Sequence, residues 1–350
     1  MAMRSWRIGA IGLAVLVGVV WGALAPPRAT APTQAAALSQ PAVVQMATVE
    51  SSGNAGFYIA IERGYFQEQG LQVELNKYAT GIDYVPALAR GQVDVASTDI
   101  SAGFLNVFSR DIPIKMVADR GSLPPGAGYI ALILRPDLAD QVHDYRDLRG
   151  LRFGVSFQGA FTERLIGRAM ELGGLTLADA DVTYLPSGDV PAALANSALD
   201  ASVVFEPQVT IAREQGFAAR WRGADEILPN GQSVVMSYGP QFASQTDLAR
   251  RWMLGYLKGV RDYTEAYRRG PNRAEIIQLL TQVTPLRDPA LWERMVWTAI
   301  DPNGKVNADS IVDTQAWYRS HGMLQSDVDL RPFVDSSFTD WAVQRLGTYQ

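Results

Sequence analysis

Residues 86–97 read PALARGQVDVAS, and residues 192–203 read AALANSALDASV. In each, an alanine-rich apolar stretch runs into a small or polar residue (Gly91, Ser197). An aspartate follows (Asp94, Asp200), and then a run suited to a buried strand. One match of this kind is cheap. It gains meaning because both stretches occupy the same place in two longer series of elements.

The first series begins at Val43 and alternates short apolar runs with amphipathic ones, the pattern of α/β architecture. VVQMATV reads as a strand, and the helix after it starts near Ala55 and stops at glycines. LQVELNKY alternates as a strand, IDYVPALARG reads as a helix, VDVAST as a strand, AGFLNVFSR as a helix and PIKMVAD as a strand. GYIALILRPDL then carries the chain elsewhere, and a second series opens. LRFGVSF, DVTYLP and DASVVF read as strands. They alternate with helices in AFTERLIGRAMELGG, DVPAALANSA and PQVTIAREQG, with Pro207 suited to a first helical turn.

Each quoted stretch is therefore the second helix and third strand of its series, which predicts two lobes built on one plan. SVVMSYGP reads as a strand returning to the first lobe. Five helical segments follow, and Leu248, Trp252, Tyr256 and Val260 share one face of a long one. Trp292, Trp297, Trp317 and Trp341 are expected to pack. The expected divisions are 42–128 for the first lobe, 129–235 for the second and 236–350 for the return with its C-terminal helices.

Inventory removes much chemistry. The 350 residues contain no cysteine, so disulfides, thiolate nucleophiles and sulfur-ligated metals are absent. His143 and His321 are the only histidines and leave little material for a zinc site or a histidine-based triad. A net charge of −5 without a basic block argues against a nucleic-acid surface. At the N-terminus, MAMRSWR precedes an unbroken apolar run from Ile8 to Ala25, the form of an export signal or retained anchor over 1–25. Residues 26–41 read as a linker, and without a cysteine a lipoprotein is excluded.

The ordered set AGFYIAIERGYFQEQGLQVEL, ALARGQVDVAST, IPIKMVADRGS, DLRGLRFGVSF and VVFEPQ resembles the solute-binding proteins of ABC importers. More narrowly, it resembles the group associated with nitrate, sulfonates, taurine and thiamine-pyrimidine precursors. The resemblance runs from Val43 to the C-terminus. It implies a type II periplasmic-binding fold, two α/β lobes joined by two crossover strands with ligand held in the gap between them. It implies a monomer outside the cytoplasmic membrane, partnered by an ABC permease and its ATPase. Contact with the membrane is then expected only through the N-terminal segment or the permease. No cofactor, metal or catalytic residue is expected. A ligand-sensing module is the alternative. A pyrimidine-synthesis enzyme on the same fold lacks its parts here, because that family carries a cysteine-rich segment and a sacrificial histidine.

Ligands of open α/β sheets lie beyond the carboxyl ends of the strands, where helix N-termini also converge. Candidate ligand residues are therefore read from the loops there. The first loop offers Ser51, Ser52, Asn54, Phe57 and Tyr58, with helix capping by Asn54 and core burial of Phe57 as the structural readings. After the third strand come Thr98 and Asp99. Arg120 follows the next strand as a fixed partner for a carboxylate, sulfonate or phosphate, or else as a salt bridge to Asp119 or another acid. In the second lobe the candidates are Gln158, Gly159, Ala160 and Phe161, then Glu206, which has the option of pairing with Arg120 on closure. Relatives often carry Ser or Thr directly after the glycine. Here Thr162 is delayed, which weighs against simple oxyanion recognition and favours stacking by Phe157 or Phe161. Several aromatics, two acids and one arginine favour a heterocyclic or mixed-polarity organic ligand over an inorganic anion.

Overall fold

A computed structural model describes residues 1, 40–49 and 51–350. The export signal expected at 1–25 and the linker at 26–41 lie outside the described residues, apart from Met1, Gln40 and Pro41. No helix among the described residues is long and apolar enough to cross a membrane.

Ala37–Gln350 forms one compact unit. Its first series runs β1 (Ala42–Thr48), α1 (Ala55–Glu62), β2 (Leu71–Lys77), α2 (Val85–Ala89), β3 (Val95–Asp99), α3 (Ala102–Leu105) and β4 (Lys115–Leu123). The chain crosses over, and the second series runs β5 (Ile130–Leu134), β6 (Arg152–Val155), α4 (Phe161–Leu172), β7 (Asp181–Tyr184) and α5 (Val190–Ala195). It ends in β8 (Ala201–Phe205), α6 (Gln208–Glu214) and β9 (Ala219–Gly223). After α7 (Ala224–Ile227), β10 (Gly231–Tyr238) returns to the first sheet. α7 still packs on the second lobe, and the chain re-enters the first sheet at Gly231, ahead of the expected 235/236 division. β9, α7 and α8 (Pro240–Ser244) are additions to the reading. They are short, and β9 has a charged sequence (ARWRG) without apolar alternation.

The C-terminal part is helical: α9 (Thr246–Tyr267), α10 (Arg273–Val283), α11 (Pro289–Arg294), α12 (Ala308–Ser320) and α13 (Ser337–Leu346). Trp292, Trp297 and Trp317 are buried, as packing residues should be, and Trp341 is half-buried against the same core as Trp292 and Trp297.

The two sheets have one plan. Their strand orders are β2-β1-β3-β10-β4 and β7-β6-β8-β5-β9. In each, three strands are parallel in the order second, first, third, and the fourth position is an antiparallel strand next to a crossover. The quoted repeat sits in equivalent places to the residue. Leu88 and Leu194 are fully buried, and Gly91 and Ser197 both take left-handed backbone (φ 69° and 61°) to end the helix.

Both aspartates clamp the first strand of their own sheet. Asp94 N–H donates to Gln45 O at 2.8 Å, and its carboxylate accepts from Gln45 N–H at 2.8 Å. Asp200 N–H donates to Arg152 O at 2.9 Å, and its carboxylate accepts from Arg152 N–H at 3.0 Å. These contacts lie at the start of β3 and β8, away from the carboxyl ends of the parallel strands. The repeat is a scaffold device, and its charge environments differ. Arg152 and Arg135 bond the Asp200 carboxylate and hold it below the usual aspartate range, whereas burial pushes Asp94 up.

The repeat makes a prediction about stability. Asp200→Asn should lower unfolding free energy by about 2 kcal/mol in denaturant melts, because a largely buried, doubly paired carboxylate is lost. The depressed Asp200 group stabilises above the unfolded aspartate value and loses that effect as pH falls through its own lower value. The gap between wild type and variant should therefore close on acidification. A gap that widened below pH 4 would contradict the assignment.

Candidate functional site

The carboxyl ends of β1, β3 and β4 are where the first lobe faces the second. β4 does not stop before Arg120, as its sequence suggests, but runs through it to Leu123. Pairing with β10 slips there: Val235 faces Asp119 and Val234 faces Gly121, so Arg120 is the extra residue of a β-bulge. A bulge bends the strand and re-aims a side chain, which turns Arg120 toward the loop after β1.

Arg120 is 7% exposed. Its Nε and Nη2 donate to the single acceptor Asn54 Oδ1 at 2.9 and 2.7 Å, and Nη2 reaches Ser51 Oγ at 3.5 Å. Asn54 is held in turn by donating to Thr48 Oγ1 at 2.8 Å and Val49 O at 2.7 Å. Asn54 therefore positions the arginine and makes no side-chain cap of α1. Gly53 leaves room for the guanidinium, since a Cβ there would lie 2.7 Å from Nη1. Among the described residues no carboxylate forms an ion pair with Arg120, and Nη1 has no hydrogen-bond partner.

The salt bridge to Asp119 offered by the sequence does not form. Asp119 is fully buried, and Gly121 N–H, Ser122 Oγ, Gln232 Nε2 and Asp301 N–H all donate to its carboxylate. Burial, only partly offset by those donors, pushes its carboxyl up to about 6. Asp99 is different. Its carboxylate makes no hydrogen bond or ion pair among the described residues. Burial pushes it up, while the charge of Arg120 acts to lower it. Arg120 and Asp99 thus share the end of one sheet without bonding each other.

The remaining first-lobe candidates divide. Thr98 is fully buried, with its hydroxyl bonded to Ser237 Oγ at 2.6 Å and Val235 O at 3.3 Å, so it serves the sheet. Phe57 and Tyr58 pack in the core between the first sheet and α9, in contact with each other at a ring separation of 4.4 Å. Ser51 caps the short turn over Ser52–Asn54, and Ser52 Oγ reaches Glu206 O in the second lobe at 3.4 Å.

In the second lobe, Gln158 is exposed, while Gly159, Ala160 and Phe161 are buried. Phe161 belongs to the core and Phe157 is half-buried, so stacking on Phe161 is closed off in this arrangement. Gly159 has φ 76° and no room for a side chain, since a Cβ would lie 2.7 Å from Ala102 Cβ of the first lobe. Its carbonyl accepts Ala102 N–H at 2.9 Å.

Glu206 does not pair with Arg120. Its carboxylate accepts from Thr210 N–H and Oγ1, both at 3.0 Å, and from Val296 N–H of the returning chain at 3.3 Å. Burial pushes it up against these bonds. Pro207, expected in the first turn of α6, is the residue before that helix and follows a cis peptide bond.

The lobes are in contact where a gap was expected. Ser52–Glu206, Ala102–Gly159 and Val296–Glu206 bridge them, and Arg294 grips Glu214 at 2.7 and 3.1 Å on the rim. One apolar cluster contains residues of both lobes. A cavity of about 440 Å³ lies off the strand ends, between α4 and α12, and includes Arg164, Asp313 and Trp317 in its wall.

Sequence reading missed Glu163. It is 1% exposed, and its carboxylate accepts from Gly159 N–H at 2.5 Å and from Tyr184 Oη at 2.7 Å. An acid in the first turn of α4 was the available signal.

A family model described as NMT1/THI5 like matches residues 51–266, more than half of the chain. The chain belongs to the NMT1/THI5-like family. Family membership covers all of the cleft loops described above. Among solved structures, the periplasmic aliphatic sulphonate binding protein SsuA from Escherichia coli superposes with a TM-score of 0.69 at 18% identity, covering 85% of this chain and 93% of that one. The alkanesulfonate-binding protein SsuA from Xanthomonas axonopodis pv. citri, bound to MOPS, gives 0.68 at 18% identity, covering 86% and 100%. The periplasmic nitrate-binding protein NrtA from Synechocystis PCC 6803 gives 0.70 at 14% identity, covering 88% and 89%. At such identities these likenesses establish the two-lobe periplasmic-binding fold. A search of curated proteins by sequence returns no match.

Asp119 supplies a pH prediction. A buried carboxyl raised to about 6 holds its proton more tightly than the unfolded chain does. Its contribution to stability is full below the unfolded value near 4 and is lost as pH rises through about 6, on the order of 3 kcal/mol in all. Carboxyl ¹³C NMR should show one group with a midpoint near 6, absent from Asp119→Asn. A titration complete below pH 4.5 would refute this.

Proposed function

We propose that this chain is the solute-binding component of an ABC importer, exported across the cytoplasmic membrane and delivering a small organic ligand to its permease by two-lobe closure. One observation carries the reading. Arg120 is a buried guanidinium with an unpaired edge and no ion-paired acid among the described residues. Burying such a charge alone is costly, and a ligand anion seated against Nη1 would offset that cost. The family membership, and relatives named for sulfonate and nitrate binding, favour the same role.

The ligand carries a carboxylate, sulfonate or comparable group for Arg120. Asp99, a carboxylate without a hydrogen bond among the described residues, favours a ring N–H or amine elsewhere on the same molecule. That combination supports a mixed-polarity or heterocyclic compound. Binding shifts the lobes toward the closed form, and the permease reads that shape. The chain holds its ligand without altering it, a reading supported by the lack of cysteine and the scarcity of histidine.

A thermal-shift screen against sulfonates, carboxylates, pyrimidines, flavins and nucleobases should return an anionic organic ligand that raises the melting temperature. Arg120→Gln should bind that ligand roughly 30-fold or more weakly, the loss expected when one partner of a desolvated charge pair is removed. Equal binding by Arg120→Gln, or a response confined to inorganic anions, would sink the reading. Gly53→Ala should weaken the same ligand by pushing the guanidinium aside, with unfolding within a few degrees of wild type.

A further inference from the structure

Away from the strand ends, the seam between the lobes holds a second group of charges. α4 belongs to the second lobe, whereas α12 rests on the first. Ser310 Oγ of α12 accepts Gln232 N–H of β10 at 2.8 Å, and Tyr318 Oη donates to Ile100 O at 3.2 Å. Between the two helices lies the cavity of about 440 Å³, room enough for a small organic ion. Its wall includes a cation that is almost fully enclosed. Arg164 is 3% exposed. Nη2 donates to Asp313 Oδ2 at 3.1 Å, and Cζ stands 5.1 Å from the centre of the Trp317 ring. Nη1 is 4.0 Å from Glu171 Oε2, and neither Nη1 nor Nε makes a hydrogen bond among the described residues. Glu171 is engaged elsewhere: Oε1 takes Trp317 Nε1 at 2.7 Å, and Oε2 takes Arg168 Nη1 at 3.2 Å. The Asp313 side chain is 63% exposed, so water screens its charge. A buried guanidinium with two idle donors and a solvated counter-ion is under-compensated. The aromatic wall beside it is fixed, because the Trp317 ring lies against Gly167 of α4 where no Cβ would fit.

We infer that this cavity is a second ligand site, for a small organic carboxylate, separate from the cleft at the strand ends. The carboxylate accepts from the idle donors of Arg164, a charge-assisted bond in a largely enclosed place. The rest of the molecule lies along Trp317 and Ala316. Glu171 and Asp313 flank the site, which disfavours a doubly charged anion such as sulfate, and the apolar wall favours an organic one. Arg120 takes no part in this wall, so the inference does not depend on the transport role proposed above.

The test follows the indole N–H signals of the full chain by ¹⁵N NMR during titration with sodium benzoate at constant ionic strength. The Trp317 signal is the one lost in Trp317→Phe, and it should shift and saturate. Benzamide, similar in shape but uncharged, should bind roughly tenfold or more weakly. Arg164→Gln should abolish the saturating shift. Ala316→Phe, at an exposed position of the wall, should abolish it by filling the space, and it decides the matter if Arg164→Gln does not fold. Arg120→Gln should leave the titration unchanged. A Trp317 signal that does not saturate would overturn the inference, and so would equal binding of benzamide. Saturation that survives in folded Arg164→Gln would overturn it as well. Loss of the shift in Arg120→Gln would place benzoate in the cleft and remove the second site, whereas a cleft ligand indifferent to Arg120→Gln would end the proposed function and leave the benzoate result standing.

Discussion

The cleft depends on one arrangement, a guanidinium held by an amide in place of an acid. Asn54 offers Arg120 a single neutral oxygen for two N–H groups, and Asn54 is itself anchored by Thr48 and Val49. Such a fork fixes direction without cancelling charge. A carboxylate at position 54 would have formed a buried ion pair with little left for a ligand. The neutral partner holds the guanidinium in place without an ion pair, so its charge acts on Asp99 only across space.

Around that arrangement the lobes contribute opposite signs. The bulge in β4 and the tight turn after β1 bring the cation to the end of the first sheet. The second lobe answers with acceptors, since the Glu206 carbonyl, the Gly159 carbonyl and the Glu163 carboxylate all sit along the seam. Glu206 was attractive from sequence because it ends a strand. In the fold its carboxylate is consumed by Thr210 and Val296, so it joins the returning chain to the second lobe.

How much was readable from sequence follows from the range of the forces involved. Strand and helix order is written in local apolar periodicity, so nearly every element of both series lies where its pattern places it. The repeat was readable for the same reason, although its aspartates prove to be clamps on strand starts. Side-chain roles are another matter. Thr98 and Asp99 are adjacent in the chain. The pleat sends the first to Ser237 and leaves the second unbonded, and only the neighbouring strand decides this. The bulge at Arg120 is a mismatch between two strands more than a hundred residues apart. Glu163 carries no local signal of its burial, because an acid in a first helical turn usually faces water.

The order of strands also governs how the molecule comes into being. The second lobe is continuous in the chain, but the first sheet is completed only by β10, which separates β3 from β4 and hydrogen-bonds both. Until Gly231 and the residues after it have been synthesised, β4 has no neighbour in its sheet. A nascent chain emerging N-terminus first thus carries a half-finished first lobe across the whole length of the second. The architecture defers its own closure until the second lobe has been made.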